Sequence, residues 1–189
     1  MKHKPLLDAS AAKALHKQAS RLEALDEIVT SKSAFCQENI WPLRVGIFSA
    51  IEAENDPNFS DEKVFSLYEK AKYPSGSVRE QFAEYKQAKA DLAAAAKEAA
   101  EIRPGLKKTI EAFFDKQHEV LLTEYHEQLE KIVHALTPYC GDAGQAEFLA
   151  MQTSAATTLY SSALGWKFSS IYNPSLLKLS NLILQTFNV

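Results

Sequence analysis

The chain has 189 residues, 46% of them hydrophobic and 24% charged, with a formal net charge of −3. This length is enough for one domain burying roughly 70% of its unfolded surface, and so balanced a charge argues against a dedicated nucleic-acid binder. With only six glycines and seven prolines, and Ala, Leu, Glu and Lys in abundance, the composition favours helix.

The N-terminus is basic, but Asp8 and Lys13 interrupt any apolar run before it reaches signal-peptide length. No segment has the long apolar stretch of a transmembrane helix, so a cytoplasmic protein is expected. Cys36 and Cys140 are far apart and unpatterned, and read as small buried apolar residues of a reducing compartment. Asn58-Phe59-Ser60 matches a glycosylation sequon, a chance match where no signal peptide is read.

In chain order, Leu15, Ala19, Leu22, Leu25, Ile28 and Val29 form a helical stripe and predict a first helix over 9–30. Its lysines suit a solvated face; large interfacial aromatics are absent from it. Ser31–Asn39 is expected to bend the chain, and Pro42 to open a new helix carrying Leu43, Ile47, Phe48 and Ile51. Trp41, in an apolar context, is expected in the core. A loop follows at 54–58, and Ser60 then caps a short helix with Val64, Phe65, Leu67 and Tyr68 that ends before 73–76.

Ser77 and Glu80 form a capping box that opens a helix to about Ile102. Val78, Phe82, Tyr85, Leu92, Ala96 and Ala99 fall nearly in heptad register, which Lys89 breaks. The run Asp91–Ala100 is intrinsically helical and almost without bulk, a face that allows close approach of another helix. Arg103-Pro104-Gly105 is expected to turn the chain back into an antiparallel hairpin over 77–137, with one long helix kinked at Pro104 as the alternative. The second arm, Leu106–Leu136, is the spine: Leu106, Ile110, Phe114, Leu121, Tyr125, Leu129, Ile132 and Leu136 recur three, four or seven apart. A stop at 137–141 precedes a cap at Asp142 with Gln145, and Asn173-Pro174 starts a last helix with Leu176, Leu179, Ile183 and Phe187 on one face.

The chain changes character near its end. Between Phe148 and Val189 the only charged side chains are Lys167 and Lys178, and Phe148–Trp166 has none. Three explanations compete: a central helix pair screened by charged neighbours, a subunit interface, whose core is depleted in charge and rich in aromatics, and insertion into lipid. The interface reading makes Tyr160, Trp166, Phe168 and Tyr172 the candidate contact residues, with Trp166→Ala weakening assembly more than folding.

No phosphate-cradling glycine loop, Cys-x-x-Cys pair or nucleophile elbow occurs. His118-Glu119 and His126-Glu127 begin like the helical zinc motif, but Leu122 and Glu130 replace its second histidine. Asp115 and His118 have the spacing of one half of a di-metal motif, without the second half. His126, Glu130 and His134 step by one turn each and form a strip suited to weak metal binding or to a solvated face.

The expectation is therefore a single all-α domain over 1–189, a helical bundle of about five to seven helices on the 77–137 hairpin, charged over 1–147 and charge-poor over 148–189. Its expected function is non-enzymatic: an assembly or interaction protein, a homo-oligomer or a binder of a protein partner, with no catalytic residue, cofactor or metal assigned. The alternatives are a metal- or ligand-binding bundle using the histidine strip and a membrane-associating protein; no nucleic-acid partner is expected.

Overall fold

The structure is a computed structural model that describes residues 7–50, 59–70, 77–140, 142–172 and 175–187, with the backbone alone at 50, 77, 168 and 170–172. Among the described residues the chain is all-helical, with α1 Ala9–Ala50, α2 Asp61–Lys70, α3 Ser77–Cys140, α4 Ala143–Met151, α5 Ser154–Tyr172 and α6 Leu176–Gln185. The expected loops at 54–58 and 73–76, the Ser77 cap and the start at Asn173-Pro174 lie outside the described residues.

Both long helices pass through sequences expected to break them. In α1, Asp8 caps the start by accepting from the Ala11 N–H at 2.7 Å. The polar segment 31–39 stays helical because it carries buried Cys36, with Phe35 packed on the same core; Ser31 and Asn39 turn their hydrogen bonds back onto the Ile28 and Phe35 carbonyls of the same helix. Pro42 lies inside α1, where the buried spacing Cys36, Leu43, Ile47 runs on without a change of phase.

The same holds at Pro104. In place of the expected hairpin over 77–137, the alternative of one long helix through Pro104 holds: α3 has 64 residues. Proline removes one N–H from the ladder, but the buried stripe Ala95, Ala99, Leu106, Ile110 crosses it in steps of four, seven and four. A helix that buries one face on both sides of a proline has tertiary contacts to hold it together. The stop expected after Leu136 also fails, and α3 carries Pro138 on to Cys140.

Packing divides the chain into two units, Leu22–Glu101 and Met1–Arg21 with Ile102–Val189, rather than at the change of charge near 148. In the continuous unit, Lys32 pairs with Asp91 at 3.3 Å, and a Cβ on Gly46 would lie 3.2 Å from Val78. The two pairings have nearly the same residue-number sum, so α1 and α3 run antiparallel here, and the register sets Leu25 opposite Ala99. An antiparallel pair does exist, but its arms are α1 and the first part of α3. Within the alanine run Ala95 and Ala99 are buried, as is Ala88 one turn before it. The buried stripe is Phe82, Tyr85, Ala88, Ala95, Ala99, which bypasses Lys89 and takes Ala95 in place of Ala96. Helix α2 closes this core: Ser60 caps it, Val64 and Tyr68 are buried, and Phe65 packs on Phe82 and Tyr85. Trp41, expected inside, is 62% exposed, because Leu43, Arg44, Ile47 and Phe48 hold the inward side of that turn.

In the discontinuous unit, α5 lies antiparallel along the second part of α3, as shown by the pairs Phe114–Trp166, His118–Ala163 and Tyr125–Tyr160. Leu106, Ile110, Phe113, Phe114 and Leu129 are buried, with Tyr125, Ile132 and Leu136 half-buried. Helix α6 starts at Ser175, whose hydroxyl accepts from the Lys178 N–H, and buries Leu179, Ser180 and Ile183. It meets the start of α1 through His16, which donates to the Ser180 hydroxyl at 3.1 Å while Ser180 donates to the Leu177 carbonyl. Cys36 is buried as expected; Cys140 is only half-buried.

Candidate functional site

Helix α4 begins the charge-poor region and inverts the usual arrangement. Asp142 caps it by accepting from the Gln145 N–H at 2.7 Å. Ala146 and Ala150, one turn apart, are fully buried, so the backbone of α4 lies close against its neighbours. Helical geometry then points Phe148 the opposite way, with Met151 beside it at i+3. Phe148 is 63% exposed, Met151 47% and Leu149 42%. A break at Gln152 and Thr153 follows, where the Thr153 hydroxyl donates to the Ala150 carbonyl and accepts from the Ala156 N–H that opens α5. On α5, Ala156 and Ala163 are the fully buried positions. On α4, Ala146 and Ala150 thus face inward and Phe148, Leu149 and Met151 outward, next to Glu147, the one charged side chain of this helix.

The four expected contact residues do not share one environment. Tyr160 is 45% exposed, with its ring 5.4 Å from that of Tyr125. Trp166 faces inward: its indole meets the buried rings of Phe114 at 5.1 Å and Phe113 at 5.9 Å, edge to face. Phe168 and Tyr172 belong to α5, and their side chains lie outside the described residues. Phe148, Leu149 and Met151 join Tyr160 as exposed apolar groups. Their signal in the sequence is the alanine pair at 146 and 150, which marks the buried side of α4 by its spacing.

The histidines of the spine are also placed. His118 donates from Nδ1 to the Ala163 carbonyl at 2.9 Å, and Asp115 pairs with Lys167 at 3.4 Å. The Asp115/His118 pair therefore ties α3 to α5. His126, Glu130 and His134 are exposed along α3. Among the described residues no group of three His, Cys, Asp or Glu side chains is close enough to hold a metal ion. Likewise, among the described residues no helix is long and apolar enough to cross a membrane.

Comparison of the chain with models of known protein families, with curated proteins and with solved structures finds no match.

Proposed function

We propose that this chain is a non-enzymatic helical assembly protein that associates with a protein surface, first of all a second copy of itself, through the outward side of α4 and the start of α5. The observation that carries this reading is Phe148, 63% exposed directly opposite the fully buried pair Ala146 and Ala150. An exposed aromatic flanked by Leu149 and Met151, in a segment with no charged side chain, has the composition of an interface core. The contact residues in this proposal are Phe148, Leu149, Met151 and Tyr160, with Trp166 supporting the helix from beneath. We place the protein in the cytoplasm, where the free thiols of Cys36 and Cys140 stay reduced.

The test is molar mass by light scattering after size exclusion, over a range of concentrations. The expected result is an oligomer that Phe148→Lys with Leu149→Lys converts to monomer while the helical circular dichroism is retained. A wild-type monomer at every concentration would overturn self-association, and an oligomer indifferent to the double substitution would move the interface elsewhere.

A further inference from the structure

In the continuous unit, α2 and α3 border an open surface hollow of about 250 Å³ lined by Phe65, Glu69, Phe82, Tyr85, Lys86 and Lys89. Its floor is aromatic. Phe65 meets Phe82 at 5.2 Å and Tyr85 at 5.3 Å; it is half-buried, whereas Phe82 and Tyr85 are 7% and 3% exposed, so the accessible floor is the Phe65 ring with the margins of the other two. Its rim is cationic. Lys86 donates to Glu69 and so neutralises the carboxylate that lines the hollow. Lys89 stands over the rings, 5.5 Å from the centre of Tyr85 and 6.0 Å from that of Phe65. Among the described residues no ion pair to Lys89 is formed. Its charge is felt by Glu62, whose carboxyl is held low first by the N–H at the start of α2 and then by Ser60. Lys89 is also the residue that broke the heptad register of α3, a charge set one turn beyond Tyr85 on the aromatic side of the helix.

An apolar hollow with a spare ammonium at its mouth selects its occupant by charge and shape. A cation would be repelled by the lysines, a neutral ring would gain only a cation–π contact with Lys89, and a compact inorganic anion would leave the aromatic floor uncovered. The volume corresponds to about eight waters at ~30 Å³ each, room for a fused-ring acid but not for a helix. We propose that this hollow binds a small planar organic monoanion, a carboxylate or sulfonate, with its ring against Phe65, Phe82 and Tyr85 and its acid group on Lys89.

The test is calorimetric titration of the full chain with naphthoate and with neutral naphthamide, which differ only in the acid group. Naphthoate is expected to bind saturably at one site, about fivefold tighter than the amide, the upper range for an exposed charge pair. Lys89→Ala, an exposed position that the core does not need, should bring the acid down to the affinity of the amide. Lys89→Arg should keep the preference, and Glu69→Gln, which frees Lys86, should strengthen it. Absence of saturable naphthoate binding, or binding unchanged in Lys89→Ala, would overturn the proposal. Neither result bears on assembly through α4, which light scattering reads separately.

Discussion

His118 gives its Nδ1 proton to the carbonyl oxygen of Ala163 at 2.9 Å, one helical turn from the pair formed by Asp115 and Lys167 at 3.4 Å. The two contacts join the same helices but differ in surroundings. Ala163 is fully buried, whereas the Asp115 and Lys167 side chains are 62% and 46% exposed. Replacing His118 by Leu should destabilise the fold by about 1 kcal/mol, the net value of one such hydrogen bond. Asp115→Asn should cost less than about 0.5 kcal/mol, since exposed pairs are screened. Urea unfolding of both variants checks the order; the reverse order would show that the ion pair, not the histidine, holds α5.

Trp166→Ala should now act on folding first. Its ring closes the cluster of Phe113 and Phe114, so truncation opens a cavity beside two buried rings. A loss of about 2 to 3 kcal/mol is expected for a half-buried aromatic, below the full-burial range. Denaturation and light scattering on the same samples decide: assembly that collapses while stability holds would return Trp166 to the contact surface.

Tyr85 supplies an alkaline signature for the continuous unit. Burial, then the negative charges of Cys36, Asp61 and Glu62, push its phenol up from 10.0 to about 12. The folded chain keeps a proton that the unfolded chain has released, so the stabilisation is complete below about pH 10. It falls as pH rises through about 12. Unfolding free energy measured between these limits should decline in the wild type, and part of that decline should vanish in Tyr85→Phe. An unchanged slope would mean that Tyr85 is solvated.

Gly46 sets how closely α1 and α3 approach. Alanine there gains up to about 1 kcal/mol of helix propensity, but its Cβ would lie 3.2 Å from a Val78 methyl group. Gly46→Ala alone should therefore be near neutral, and in a Val78→Ala background it should stabilise by about 1 kcal/mol. Equal effects in both backgrounds would show that the contact yields without cost.

The helical class, the cap at Ser60, the cap at Asp142 and most of the spine were legible because they are local: a side chain and an N–H three residues on, or apolar residues one turn apart. The breaks were misplaced at Pro42 and Pro104 for a non-local reason. A proline's cost is a local quantity, whereas the burial of Ile47 or of Leu106 and Ile110 that outweighs it depends on neighbours distant in sequence. The candidate contact surface was half legible. The absence of charge singled out the segment that begins at Phe148 but not which of its side chains lie outward: Ala146 and Ala150 take the inward side of α4, and Phe148, Leu149 and Met151 are exposed. Trp41 and Trp166 exchanged their expected places because Leu43, Arg44, Ile47 and Phe48 take the inward side of the turn at Trp41, while Phe113 and Phe114, distant in sequence, receive Trp166.

The discontinuity of one packing unit has a consequence for how the chain is made. Leu22–Glu101 is unbroken in sequence, so every residue of its core has been synthesised before the second part of α3 follows. The other unit cannot close until α6 exists, because His16 waits for Ser180, 164 positions later. Synthesis therefore imposes an order: the aromatic core around Tyr85 can mature early, while the uncharged helices are the last to find their partners, and until then they depend on the nascent chain staying unaggregated.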